Sequence, residues 1–537
     1  MADHEILRNV LLSELSDVDL FCKLLKIPSA RDNCIKVFKL LMTANKPIAS
    51  QLQQNFVQHA QHLIYSNEEH DLHTVTEDLN FHYRKEIDKG LRLGTFLSDC
   101  GWLEDSVTVL NTTKILISKL EEDYAKLLLQ LDCYQKLLHV QASFCCYKDA
   151  AVTTILTISL IDRITKSCIG CNNVISISKN ILPDSLFANF YQNLSVLHFN
   201  RSEYDLSYKY GVKALEYLGS NTPAKITCDV LRQAAKSCVV KRKFQIANLL
   251  INSAVRIAEN TFGSNHTIFA DALLDKGFFL LNVDSINLSV ELYMYEYSRG
   301  HFNMARFYVE KAIEIMSELA PSNQIMLASA KRVKALILEE IALDNMVSPN
   351  ARDYKGLLKE SEELHRSALQ LSLDAFGEIN VQTAKHYGNL GRLYQSMTKY
   401  EDAEEMHQRA IKIKRDLLGD FDYEVGLSIG HLASLYNYHM KKYRQAEELY
   451  LKSIDISLKL FGQTYSGLEY DYRGLLHVYE ELHDNENFMK YCDILDEWRI
   501  LRSDEKRKPT YIELTEDATI EDVKRKFFEM SSEHQEL

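Results

Sequence analysis

Apolar residues recur at three- and four-residue spacing along much of this chain, the periodicity of helices that bury one face. Leu11 to Ile27, Cys34 to Met42 and Leu52 to Ile64 read as three such helices near the start. In the second half the helices become periodic. Leu371–Gly377, Ile411–Gly419 and Ile454–Gly462 each close a helical run with a large apolar residue and a glycine, and these glycines stand 42 and 43 residues apart. Between them a second pattern returns: Leu390-Gly391-x-x-Tyr394, Lys399-Tyr400-x-x-Ala403 and Ala410, then Leu432-Ala433-x-x-Tyr436, Lys442-Tyr443-x-x-Ala446 and Ser453. A weaker third copy carries Leu475-Leu476-x-x-Tyr479 and Asn487-Phe488.

Small residues at Gly391 and Ala433 let one helix approach the next, Ala403 and Ala410 form the matching thin stripe seven residues apart, and tyrosines fill the gap between units. This is the tetratricopeptide repeat (TPR) pattern. Its usual period is ~34 residues, so about eight extra residues are expected in the Leu-Gly-x-x-x-Tyr-Glu-Val loop between units. The longer unit resembles the repeats of kinesin light chains. Upstream copies follow from the same template: Glu203-Tyr204 with Ala214, Lys243-Phe244-x-x-Ala247 with Ala254 and Phe262-Gly263, Gly300-x-Phe302-x-x-Ala305 with Ala312, and Leu93-Gly94 before Gly101-Trp102. The expected fold is all-α: a TPR-like helical solenoid with ~42-residue repeats of kinesin-light-chain type and a helical N-terminal cap. The expected layout is a cap or docking region at 1–88, a first array at 89–344, an exposed loop or hinge at 345–354, a second array at 355–502, and a charged tail at 503–537. In that tail 503–518 is expected to be flexible and 519–531 to be a short amphipathic helix opened by a Thr519-x-x-Asp522 capping box.

Composition narrows the function. Gly 19 and Pro 7 in 537 residues fall far below typical usage of ~7% and ~5%, which excludes turn-rich β folds and Gly-rich phosphate loops. No run approaches the ~18 apolar residues of a membrane span. The net charge of −13 repels nucleic acid, and no basic stripe overcomes it. Eleven cysteines, odd in number and set mostly in helical patterns behind a start without a signal peptide, point to reduced thiols and a cytoplasmic and nuclear location.

No catalytic motif set occurs, so neither an enzyme nor a cofactor is expected. His59-x-x-His62, His70-x-x-His73 and His82 have metal-ligand spacing but read as polar positions on cap helices. Cys168-x-x-Cys171 with Cys145-Cys146 lacks the second C-x-x-C of a zinc site. A TPR array offers instead a concave groove lined by the first helix of each unit. Counting Leu390 as the seventh position, the second, sixth and ninth are Lys385, Asn389 and Arg392; the next unit contributes His431 and Asn437, and an upstream one Arg232 and Lys236. These suit a peptide carboxylate through charge-assisted hydrogen bonds, while Asp271 and Asp275 around Gly277 suit a basic side chain. The alternative is an ordinary solvated helix face.

Ala328–Ala342, Asn380–Met397, His431–Tyr438, Gly467–Gly474 and Val230-Leu-Arg-Gln-Ala go beyond TPR consensus and resemble the family of TPR proteins that bind the amyloid precursor protein tail. The resemblance runs from about residue 13 to about 502 and is strongest after 324. It implies a non-catalytic substrate receptor of a cullin-RING ubiquitin ligase that captures C-terminal degrons with an arginine and a near-terminal glycine. It also implies elongin and cullin as partners, and a link to microtubule transport of the amyloid precursor tail with association to the cytoskeleton. Relative to that family this chain is expected to begin after the elongin-binding box, the nearest substitute being Val18-x-x-x-Cys22 followed by Ile27. Around Leu288–Arg299 it is expected to be about one helix pair shorter, which would shift the two ends of the groove relative to each other.

Overall fold

A computed structural model describes residues 48–65, 77–99, 102–169, 182–241, 243–287, 293–319, 324–347, 354–465, 467–503 and 518–532. Among the described residues there are twenty α-helices and no strand. They are α1 (Ile48–Tyr65), α2 (Glu77–Asp99), α3 (Leu103–Ser118), α4 (Tyr124–Ser143), α5 (Tyr147–Ile169), α6 (Asp184–Asn200), α7 (Tyr204–Glu216), α8 (Ala224–Val240), α9 (Phe244–Phe262) and α10 (Thr267–Asn287). They continue with α11 (Tyr293–Leu319), α12 (Gln324–Val347), α13 (Tyr354–Phe376), α14 (Val381–Ser396), α15 (Tyr400–Leu418), α16 (Tyr423–Ser434, extended by a π-turn at Leu435–His439), α17 (Tyr443–Phe461), α18 (Leu468–Glu481), α19 (Asn485–Ser503) and α20 (Ile520–Ser532). None is long and apolar enough to cross a membrane.

From α2 to α19 the helices pack as nine successive pairs, and at most steps the first helix of one pair also touches the first helix of the next. First helices therefore form the inner wall of the solenoid and second helices the outer layer, the TPR-like arrangement expected from the repeat.

Backbone geometry explains the punctuation. Gly263, Gly377, Gly419 and Gly462 end outer helices at φ between 75° and 87°, and at Gly419 ψ is 170°, a region open essentially to glycine alone. The turns inside pairs use Cys145, Ser202, Thr398, Lys441 and His483 at φ between 53° and 65°, where a side chain is tolerated at modest cost. The loop after Gly419 is short, because α16 is already under way at Tyr423. α14 and α15 take 16 and 19 residues, which by themselves fill a ~34-residue unit. The extra length thus lies in the helices, not in the inter-unit loop where it was expected, and the packed face is correspondingly longer.

One expected segment boundary does not separate two packed units. The 88/89 boundary falls inside α2, whose Ile87, Leu91, Leu93 and Phe96 share one core with Leu52 and Phe56 of α1, so the cap is continuous with the array. α12 runs to Val347, and of the expected 345–354 loop residues 348–353 lie outside the described residues. The tail helix begins at Ile520 with its capping box formed, Thr519 Oγ1 accepting from Asp522 N at 3.3 Å, but it is docked on α9. The helices expected at Leu11–Ile27 and Cys34–Met42, the Val18 box, His70, His73, Cys171, residues 504–517 and the side chains of 288–299 lie outside the described residues. His59 Nδ1 stands 3.1 Å from Glu86 Oε1.

The solenoid coils far enough for one turn to meet the next. Phe144, after α4, meets Phe376 at the end of α13 in a tilted ring contact, with centroids 6.0 Å apart. Tyr204 at the start of α7 lies 5.5 Å from Tyr423 at the start of α16, and Lys241 after α8 sits 5.9 Å over the Phe461 ring at the end of α17. In-pair turns of the first superhelical turn thus meet between-pair loops of the second, about 220 residues later, at three consecutive steps.

Gly388 and Gly419 separate backbone need from space. A Cβ on Gly388, in helical conformation, would meet only Ala410 at an ordinary 3.9 Å, whereas Gly419 has φ +87°. Gly388→Ala is expected to leave stability unchanged or raise it by up to ~1 kcal/mol, and Gly419→Ala to lower it by about 1–3 kcal/mol. Denaturant titration followed by far-UV circular dichroism checks both.

Candidate functional site: the lumen of the solenoid

The seam is built round Glu424, at the first turn of α16. Its carboxylate accepts a hydrogen bond from Tyr204 Oη at 2.8 Å and from Lys414 Nζ at 2.9 Å, and Lys385 Nζ lies 3.1 Å away. Burial pushes this carboxyl up, but the two ammonium groups and the tyrosine outweigh it and hold its pKa well below the ordinary range. Lys414 is completed by Ser428 Oγ at 2.9 Å. Removing one member of such a buried set leaves an uncompensated charge, a cost of about 3–5 kcal/mol.

On α14 the half-buried residues Lys385, Asn389 and Arg392 fall three and four apart, along the stripe that faces the inner wall. One unit later the same stripe carries Leu427, His431 and Ser434, and the next carries Tyr470 and His477. Lys385, Asn389, Arg392 and His431 therefore share one stripe of the inner wall. Lys385 is not free, since it pairs with Glu424. Arg392 Nη2 is 2.8 Å from Glu339 and 3.7 Å from Glu340. Yet the Nε of Arg392 and the Nδ2 of Asn389 are buried with no hydrogen-bond partner.

Asn437 is a correction. It sits in the π-turn, is 1% exposed, donates to Gly474 O at 3.0 Å and meets His477 Nδ1 at 2.8 Å. Its amide ties α16 to α18, and the lumen position at that step belongs to Ser434. Arg232 is a second correction. Its guanidinium lies 2.8 Å from Asp275, 3.2 Å from Asp271 and 3.3 Å from Asp229, so it serves as counter-ion to a carboxylate cluster rather than as a carboxylate receptor. Lys236 Nζ stands 3.6 Å from Asp275 and over the Phe199 ring. Three carboxylates against two cations leave this pole acidic, and burial pushes Asp271 up to about 6 despite Arg232 beside it.

The basic pole lies in the second turn and includes residues that spacing did not single out. Arg332, on α12, makes no hydrogen bond or ion pair with any described residue; burial and the charge of Arg392 pull its pKa down while Glu424 and Tyr204 pull it up. Four histidines surround these guanidinium groups. Burial, with Lys414 and Arg392 nearby, lowers His407 to about 3. Burial with His407, Arg392 and Lys414 does the same for His431, and burial with Arg332 and Lys385 for His386. His365 lies well below its ordinary value because of burial, Arg392, His386 and Arg332. Both ring nitrogens of His365 and of His407 lack a partner. His407 packs under Gly391, whose Cβ would lie 2.9 Å from the ring, which is why that position needs glycine. Chemically the pole is a set of under-satisfied donors next to a guanidinium that makes no ion pair with any described residue, suited to an oxyanion. Arg332 was not singled out by sequence reasoning, because it stands between Lys331 and Lys334 in Ala328–Ala342 and nothing in the spacing separates it from them. Neither was Glu424, because its partner is 220 residues away.

The histidines give the pole a pH signature. In the unfolded chain His407 titrates near 6.5, whereas in the folded chain it stays neutral down to about 3. The unfolded state alone takes up the proton in between, so stability from this site is present above pH ~6.5 and is lost as pH falls. Relative to wild type, His407→Phe is expected to gain about 1.4 kcal/mol per pH unit between roughly pH 6 and 4. Paired denaturant titrations across that range measure it.

Models described as "Tetratricopeptide repeat" match residues 351–416 and 425–464. Amyloid protein-binding protein 2 of Mus musculus is 41% identical over 520 residues, covering 91% of this chain and 84% of its own length, and the Rattus norvegicus protein gives the same values. Among solved structures, Rap protein complexed with competence and sporulation factor matches 74% of this chain and 99% of its own, with 14% identity and a TM-score of 0.45. BtubC (BKLC) from P. vanneervenii matches 50% and 95%, with 18% identity and a TM-score of 0.35. With two TPR matches in its second half and relatives this similar over nearly its whole length, the chain belongs to the amyloid protein-binding protein 2 family.

Proposed function

We propose that this chain is a non-catalytic substrate-recognition subunit of a cullin-RING ubiquitin ligase, and that its lumen holds the C-terminal peptide of a substrate protein. The observation that carries this reading is the basic pole: Arg332 with no hydrogen bond or ion pair to any described residue, and Arg392 Nε and Asn389 Nδ2 unpartnered beside it. Buried donors in that state are costly until an acceptor arrives, and a terminal carboxylate supplies two oxygens in one plane. The acidic pole at Asp229, Asp271 and Asp275 supports a cationic side chain earlier in the same peptide. Elongin and cullin as partners, and a cytoplasmic and nuclear location, rest on the family resemblance.

A second reading makes the chain an adaptor that carries the amyloid precursor protein tail, or a similar cargo tail, on microtubules. The mouse and rat relatives are amyloid protein-binding proteins by name, which favours this reading. Under that reading the ligand is an internal tail segment and its terminal carboxylate is irrelevant.

Arg332→Gln tests the first reading with little risk to the fold, because no described partner is orphaned by it. Free-acid peptides carrying an arginine and a near-terminal glycine are expected to bind wild type about 10–100-fold more tightly than their amidated forms, the worth of a charge-assisted hydrogen bond. In the variant the difference should vanish while the melting temperature is unchanged or higher. Equal binding of both peptide forms to wild type would sink the carboxylate mechanism. Recovery of elongin and cullin with the tagged chain, judged by mass spectrometry, checks the assembly.

A further inference from the structure

The inner wall turns aromatic in its last units. The place that Lys385 holds on α14 is Leu427 on α16 and Tyr470 on α18, and the place of Arg392 is Ser434 and then His477. Leu427 and Tyr470 are 40% and 48% exposed. Between Tyr470 and His477 the stripe carries Gly474, where Asn389 and His431 stand in the two units before. Gly474 adds no side chain to the wall. Instead the Tyr450 ring of α17 rises into its place, Cζ lying 2.2 Å from where a Cβ would be.

Tyr438, in the π-turn after α16, completes the surface. It is 45% exposed, and its ring tilts against that of His477 with centroids 4.7 Å apart. Asn437 beside it meets His477 Nδ1 at 2.8 Å, so the π-turn sets a tyrosine against a histidine that the neighbouring residue already fixes. Burial pushes the Tyr470 hydroxyl up to about 12, with Ser434, Tyr438 and Arg392 acting on it, and burial raises the Tyr438 hydroxyl too. Beneath them Tyr450 is fully buried and its hydroxyl has no hydrogen-bond partner. With the Tyr470 hydroxyl set into the wall, what the lumen meets there is ring surface, and Arg392 of the basic pole stands beside it.

We propose that Tyr438 and Tyr470 form a specificity subsite for a large apolar side chain, aromatic by preference, on the last residue of the lumen peptide. The proposal rests on the reading of the basic pole as the carboxylate site. A terminal side chain branches from the carbon that bears the carboxylate, so a carboxylate held at Arg392 brings that side chain to Tyr470. An aromatic ring pairs edge-to-face or offset with such a surface and gains beyond the area it buries. A cationic side chain is opposed by the guanidinium groups of Arg392 and Arg473, which act on the two tyrosines. An acidic one meets the negative faces of the rings, and a small polar one leaves them in water.

Titration calorimetry on the full chain tests this with free-acid peptides that carry the arginine and near-terminal glycine and differ only in a final Phe, Leu, Ser or Asp. Phe is expected to bind at least about tenfold more tightly than Ser or Asp, with Leu between. Tyr438→Ala should bring the Phe peptide down to the level of the Ser peptide and leave the Ser peptide unchanged, and Tyr438→Phe should restore the preference. Equal affinity of the Phe and Ser peptides for wild type overturns the subsite. So does a Phe preference that survives both Tyr438→Ala and Tyr470→Ala. Amidated peptides separate the two ideas: no acid-over-amide difference in wild type sinks the carboxylate reading and the subsite with it, whereas an intact difference without a Phe preference sinks the subsite alone.

Discussion

The rest of the structure depends on one buried carboxylate. Glu424 sits where the solenoid has completed a superhelical turn, and the groups that make its burial tolerable come from three places along the chain: Tyr204 from the first turn, Lys385 from α14 and Lys414 from α15. A solenoid held only by neighbour-to-neighbour packing is free to stretch, because no contact spans more than adjacent units. The Tyr204–Glu424 bond removes that freedom. It fixes how far the array coils between residues 204 and 424, and so the width of what it encloses.

The lumen inherits its polarity from the same geometry. First helices alone line the inner wall, so the character of each segment is set by two or three residues per helix. In the first turn those residues are Asp229, Asp271 and Asp275, only partly neutralised by Arg232 and Lys236; in the second they are Arg332, Asn389 and Arg392 amid neutral histidines. Lys385 belongs to both systems, lining the wall on α14 while holding Glu424. The basic pole and the seam are thus mechanically joined, and a change in one is felt by the other.

Much of the fold was legible in the sequence, because a repeat states its rule several times. The glycines at 377, 419 and 462, the Gly391 and Ala433 contacts and the tyrosines at 394 and 436 predict pairs, order and inner face without any long-range knowledge. That Lys385, Asn389, Arg392 and His431 share one stripe was legible too, since position within a unit decides which way a side chain faces. The register failed at Asn437, which lies five residues after Leu432; the place equivalent to Arg392, two after Leu390, is Ser434, two after Leu432. It failed for Arg232 in a different way: the position was right, but three aspartates from two helices had already claimed its guanidinium. Periodicity says where a residue points and nothing about which charges converge there. The seam and the docked α20 were invisible for the same reason.

A structure of the full chain with a free-acid peptide bound tests the central claim most directly. The account predicts the terminal carboxylate inside the lumen, within hydrogen-bond distance of Arg332, with a cationic side chain toward Asp229 and Asp271. A peptide lying on the outer helices, or one threading the lumen with its carboxylate in solvent, would contradict it.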